Sequence, residues 1–199
     1  IGLVVLDSAN PFFAEVARGA EDRAAAAGMS VLLGNSDQDP ARESTYLDLF
    51  REQRLGGVLL TPTAAADDDA LARMVDAEGG HLAAAHLLAR GRRRLAFVGG
   101  PLDIRQVADR LEGARRALAD APDASLEVIS RGALTVLEGR AVGEEIARRA
   151  PVERPDAVFC ANDLLAVGVM QGARIIGDVR VPEELALIGY YDIDFAQST

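Results

Sequence analysis

The sequence predicts an α/β protein made of two doubly wound parallel-sheet lobes joined by a hinge, and three observations carry that prediction. Short runs that are apolar at every position, such as IGLVVL at 1–6 and AVFCA at 157–161, read as strands buried on both faces, as in a parallel sheet. Between such runs lie stretches with the apolar spacing of amphipathic helices, so strand and helix alternate. The alternation begins at Ile1, falters near residue 75 and restarts at Leu95, which gives two sets of elements rather than one.

In the first set, residues 1–6 are rich in β-branched side chains and suit a strand. Asn10-Pro11 then opens a helix, since proline at the first helical position loses no needed hydrogen bond. Phe13, Val16, Ala17, Ala20 and Ala24 share one face of it, and Gly28 stops it. A second strand at 31–33 ends in GNSDQDP, where Asp39 and Pro40 start a helix reaching about Arg54. GVLL at 57–60 is the third strand. A short helical stretch at 67–74 follows and a strand is then due, yet MVDAEGG runs almost directly into a helix at 79–90. A segment is therefore expected to be missing near Val75.

The second set reads LAFVGG at 95–100, a helix at about 104–119, LEVIS at 126–130, a helix at 135–149, AVFCA, a helix at about 164–176, and LALIG at 185–189. The expected lobes are residues 1–92 and 93–199. In open parallel sheets, ligands sit beyond the carboxyl ends of the strands. The loops at 7–13, 37–39, 103–110 and 162–163 fall there. Asp7 suits either a ligand hydroxyl or the cap of its own turn. The pair Asn162-Asp163 stands where a buried strand turns into a helix, and capping that helix occupies only one of the two.

Composition narrows the function. With 31 acidic against 21 basic residues the net charge is −10, which excludes a grip on a phosphate backbone by this segment. The basic stretch RGRRR at 90–94 is expected to be a solvated turn. The single cysteine, Cys160, has no internal disulfide partner and lies in an apolar strand, which favours a reducing, cytoplasmic setting. No signal peptide is visible and no apolar run approaches bilayer length, so no membrane partner is expected. The first residue is Ile1 rather than Met, so an upstream segment is expected. Catalysis needs an activated nucleophile, a metal cluster or a phosphate cradle. His81 and His86 are five apart, off the same-face spacing, and the paired glycines do not follow a strand in the dinucleotide pattern. No enzyme, cofactor or metal is expected.

Four segments in order carry a family resemblance: NPFFAEVARGAEDRAAAAGMSVLLGNSDQDPARE, RRRLAFVGGP, RLEGARRAL and CANDLLAVGVMQGARIIGDVRVPEELALIGYYDI. Together they resemble the effector-binding domain of lactose/galactose-repressor (LacI/GalR) family transcription regulators. The resemblance implies a periplasmic-binding-protein-like fold whose two lobes close on a small metabolite, a sugar or related polyol or nucleoside. It further implies a homodimer acting on operator DNA through an upstream helix-turn-helix domain that this chain lacks. It also implies a strand near residue 75 and further elements after GYYDI.

By the same resemblance the ligand-binding residues are Asp7, Asn10, Phe12, Phe13, Arg110, Leu134, Asn162 and Tyr191. Spacing turns Phe13 to the core and Phe12 outward, where a ring can stack on a sugar or base. Arg110 offers a planar fork of donors, and Arg110→Ala is expected to weaken binding while the fold survives. Asn162 is expected to read the ligand, with Asp163 holding the turn. Two departures weaken the match to a hexose or pentose: Tyr191 stands where the family usually has an acid, and Leu134 where many members have an aromatic wall. The rival function is a solute-binding protein of a sugar ABC transporter, which shares the two-lobed physics, although the VPEELALIGYYDI tail is closer to the regulators.

Overall fold

The computed structural model describes residues 1–63, 70–191 and 193, and divides into two compact units between residues 68 and 69. The first unit holds β1 (Gly2–Val5), α1 (Pro11–Ala26), β2 (Leu32–Asn35), α2 (Pro40–Glu52) and β3 (Val58–Leu60). Its strands are parallel in the order β2-β1-β3. Both helices start as their sequences require, with proline at the first turn behind an Asx cap. Asn10 Oδ1 accepts from the Phe12 N–H at 3.0 Å and Asp39 Oδ1 from the Ala41 N–H at 2.8 Å. Central β1 is buried throughout, whereas its neighbours are largely exposed, Leu33 and Leu59 flanking Leu3 in register. On the other face α2 lies so close that a side chain at Gly2 or Gly34 would strike the rings of Phe50 or Tyr46.

The second unit runs α3 (Ala70–Ala89), β4 (Arg94–Gly99), α4 (Arg105–Ala119), β5 (Ser125–Ser130), α5 (Val136–Arg148), β6 (Ala157–Cys160), α6 (Asp163–Gly177) and β7 (Ala186–Ile188). Its sheet is parallel, ordered β5-β4-β6-β7, and buries the central strands β4 and β6 through Leu95, Phe97, Val158 and Phe159. The connections β4 to β5 and β6 to β7 travel in opposite directions, so right-handed crossovers put their helices on opposite faces. Accordingly α3 packs on α4, and α5 on α6. Glycine makes both pairings close. A Cβ on Gly80 or Gly113 would strike a carbonyl of the facing helix, as would one on Gly139, Gly143, Gly168 or Gly172.

Two expectations meet a different arrangement. Where a short helix, a break and a second helix were expected at 67–90, α3 is unbroken from residue 70 to 89; residues 67–69 lie outside the described residues. This helix, counted with the first lobe above, joins the second unit because Gly80 and Gly113 let it seat on α4. The RGRRR stretch is an exposed turn at Arg90 and Gly91, as expected, and its arginines also hold neighbouring segments. Arg92 donates to the carbonyls of Pro182 and Glu183 at 2.7 and 3.2 Å, Arg93 to Asp123 at 2.7 Å, and Arg94 to the Arg154 carbonyl at 2.9 Å. The backbone N–H groups of Arg93 and Arg94 both donate to Asp156 Oδ1, tying β4 to β6 at their amino ends. Residues 194–199, after GYYDI, lie outside the described residues.

Candidate functional site

The opposed crossovers leave the carboxyl ends of β4 and β6 as the point where the second sheet's connections diverge, the usual location of a ligand crevice in such a sheet. Arg110, on the second turn of α4, lies beside this point and is only 3% exposed. Every edge of its guanidinium is used. Nε and Nη2 both reach Asp76 Oδ1 of α3 at 2.8 Å, Nη1 donates to the Ala161 carbonyl at 2.5 Å, and Nη2 donates to the Tyr191 hydroxyl at 2.8 Å. Its carbon lies 3.7 Å from the Tyr190 ring centre and 4.5 Å from that of Tyr191. The two tyrosine rings meet edge to face at 5.4 Å.

Burial fixes the charge states. Asp76 is 14% exposed, and its burial outweighs the attraction of Arg110, so the carboxyl stands above the usual carboxylate range. Burial alone would lower the Arg110 pKa, but Tyr191 and Asp76 outweigh it and hold the guanidinium charged. Burial likewise pushes both phenols up, so Tyr190 and Tyr191 are neutral groups at physiological pH. Tyr191 takes a backbone φ of 108°, a conformation L residues rarely adopt. Such a residue costs on the order of 1–3 kcal/mol unless its surroundings enforce it, and strain of this kind gathers at functional sites. The first turn of α6 enforces it here: the Asp163 N–H donates to the Tyr190 carbonyl at 3.1 Å, and Asp163 Oδ2 accepts from the Ile193 N–H at 3.0 Å.

The polar pair after β6 divides its work differently from the expected division. Asn162 is the N-cap of α6, its Oδ1 accepting from the Leu165 N–H at 3.0 Å. Its Nδ2 donates to the Leu134 carbonyl at 3.2 Å, and the residue is 1% exposed. Asp163, expected to hold the turn by capping the helix or orienting its neighbours, lies inside the helix and does the second, holding the tyrosine segment. The reason is geometric, since the residue just outside the helix has the extended backbone that aims its side chain at the orphan amides. Leu134 is half-buried, with its side chain against Gly100.

A cavity of about 430 Å³ opens beside this cluster, lined by Gly79, Ala83, Asp163, Gly189, Tyr190 and Tyr191. The tyrosines that stack on Arg110 thus also form the cavity wall. In the first unit, the rim after β1 carries the remaining expected residues. Asp7 Oδ1 accepts from the Ala9 N–H at 2.9 Å, which is turn capping. Asn10 and Phe13 are buried, while Phe12 is half-buried, its ring meeting that of Phe13 edge to face at 5.1 Å. The structure therefore joins Arg110 and Tyr191 directly, and Asn162 to Leu134. Sequence reasoning missed Asp76 and Tyr190. Tyr190 was visible as the neighbour of Tyr191 in GYYDI; Asp76 carried no signal, because it lies in the stretch where a break was expected.

Two parallel-sheet units with polar side chains gathered at strand carboxyl ends define a solute-binding domain of the periplasmic-binding-protein type. Residues 84–199 match the family described as periplasmic binding protein-like domain, and residues 1–85 match periplasmic binding proteins and sugar binding domain of LacI family. The chain belongs to the periplasmic-binding-protein-like domain family. It is 30% identical to the ribose operon repressor of Escherichia coli over 98% of this chain and 66% of that protein. The chain spans only 62 to 66% of the length of the ribose operon repressors it matches. A LacI family transcriptional regulator from Lactobacillus casei, solved with bound glucose, superposes with a TM-score of 0.85 at 27% identity, covering 100% of this chain and 83% of that one. A periplasmic solute-binding protein of an ABC transporter from Actinobacillus succinogenes, solved with D-allose, shares the fold at a TM-score of 0.83 and 17% identity, over 99% of this chain and 80% of that one. No described helix is long and apolar enough to cross a membrane.

Proposed function

We propose that this chain is the effector-sensing part of a LacI-type transcription regulator and that its effector is a small polyhydroxy metabolite. The observation that carries this reading is the stacked, hydrogen-bonded Arg110–Tyr190–Tyr191 cluster beside a cavity at the carboxyl ends of β6 and β7. Aromatic faces and neutral phenols suit the alternating C–H and O–H surfaces of a sugar. In this proposal Tyr191 meets the ligand in the second unit, and Arg110, Leu134 and Asn162 shape that rim from behind. In the first unit Asp7, Asn10 and Phe13 hold the loop that carries Phe12.

A ligand shifts a two-state protein only by its differential affinity for the states. A coupling of about 1–3 kcal/mol changes the affinity at a distant site several-fold or more. Operator DNA would be read by paired helix-turn-helix modules of a homodimer, whose half-site spacing is fixed. The acidic net charge of this chain supports placing that contact outside it. The sugars bound by the relatives set the first panel. A thermal-shift screen with ribose, glucose, allose and nucleosides is expected to raise the melting temperature with at least one of them. No shift with any sugar, polyol or nucleoside at millimolar concentration would contradict the proposal.

A further inference from the structure

We propose that Asp76 is a specificity-determining residue which restricts the site to uncharged ligands. This rests on the effector-site reading above and adds the charge class of the ligand. A lone buried guanidinium attracts phosphates and carboxylates, because its planar fork of donors matches their oxygens. Here each guanidinium nitrogen is already engaged. Nε donates to Asp76 Oδ1 at 2.8 Å, Nη1 to the Ala161 carbonyl at 2.5 Å and Nη2 to the Tyr191 hydroxyl at 2.8 Å, and Nη2 also lies 2.8 Å from Asp76 Oδ1 in the ion pair. The faces are covered as well, by Tyr190 at 3.7 Å and Tyr191 at 4.5 Å.

The charge balance points the same way. Asp76 cancels Arg110, the neighbouring Arg105–Asp109 pair at 3.3 Å cancels itself, and Asp163 on the cavity wall adds a further carboxylate. Both phenols are held neutral by burial. An anionic ligand in this cavity would sit beside the Asp163 carboxylate, and to pair with Arg110 behind the tyrosines it would have to displace Asp76; both oppose binding. An uncharged polyol meets neither obstacle and finds carboxylate and phenol oxygens as acceptors for its hydroxyls. Nothing in the motifs marks Asp76 for this role; its place on α3 opposite Arg110 does.

The test compares matched probes, ribose with ribose 5-phosphate and fructose with fructose 1-phosphate, by titration calorimetry on the wild-type chain and on Asp76→Asn. The wild type is expected to bind a neutral sugar at least tenfold more tightly than its phosphate. Asp76→Asn is expected to narrow or reverse that ratio, and Asp76→Glu to restore it, which a merely structural role would not do. A wild type that favours the phosphate overturns the inference while leaving the effector reading intact. An unchanged ratio in a folded Asp76→Asn overturns it too, and binding of neither class removes both readings. If Asp76→Asn fails to fold, the wild-type ranking together with the Asp76→Glu ratio decides the question.

Discussion

The guanidinium carbon of Arg110 lies 3.7 Å above the centre of the Tyr190 ring, so a cation from α4 is roofed by a phenol from the segment after β7. The stack, with the hydrogen bonds to Asp76 and the Ala161 carbonyl, ties together α3, α4, β6 and the tyrosine segment. Arg110→Ala therefore acts on stability as well as on binding, unlike the expectation from sequence that the fold survives untouched. Removing one member of a buried ion pair costs about 3–5 kcal/mol, because the other is left unpaired. Urea unfolding of Arg110→Ala is expected to show a loss of about 3 kcal/mol. An unchanged midpoint would contradict the burial of the pair.

Helix contact in the second unit depends on absent side chains. Gly168 of α6 faces the Val136 carbonyl and the Gly139–Arg140 backbone of α5, and a methyl there has no room. Gly168→Ala is expected to destabilise by about 1–3 kcal/mol through overpacking. Gly19 of α1 meets nothing within 4 Å of a built Cβ, and Gly19→Ala is expected to stabilise by about 0.5–1 kcal/mol from helix propensity. Opposite signs in chemical denaturation check the pair of variants; equal effects would contradict the packing.

Cys160 is fully buried at the end of β6, and burial, aided by the charge of Asp163, pushes its thiol far above the ordinary range. The thiolate is the reactive form. A thiol reagent such as dithionitrobenzoate at mildly alkaline pH is expected to leave native protein unlabelled and to label it in step with urea unfolding. Rapid labelling of the native state would contradict the strand placement.

Glu145 is held below its ordinary value of 4.5 first by its hydrogen bond to Arg131 and then by Arg149. A depressed carboxylate contributes stability that is complete above its unfolded pKa and is lost as pH falls through its folded value. Glu145→Gln should thus be less stable than wild type near neutrality and equal to it well below pH 4.5, where both carry an uncharged side chain. The group is half-exposed, so the neutral-pH difference is expected to be under about 1 kcal/mol. Urea midpoints at the two pH values measure it; a difference that grows on acidification has the wrong sign.

Most of the fold was legible because it is written in local chemistry. Runs apolar at every position marked β1, β4 and β6, and Pro11 and Pro40 behind Asn10 and Asp39 marked two helix starts to the residue. Phe13 took the predicted buried side of α1 because helical spacing alone decides that, while Phe12 is half-buried. What failed depends on contacts between distant residues. The attachment of α3 to α4 rests on Gly80 meeting the Arg110 backbone, and the Asp76–Arg110 pair joins residues 34 apart on different helices. The cap of α6 was assigned to Asp163 rather than Asn162 because both residue types cap helices well, and only the backbone geometry distinguishes them.

The most direct measurement is calorimetric titration of this chain, wild type and Tyr191→Ala, with ribose and glucose. The tyrosine cluster as a solute site predicts saturable single-site heat for the wild type with at least one sugar, weakened tenfold or more in a folded Tyr191→Ala. Wild-type heat that survives Tyr191→Ala unchanged, or no heat with either sugar, would contradict it.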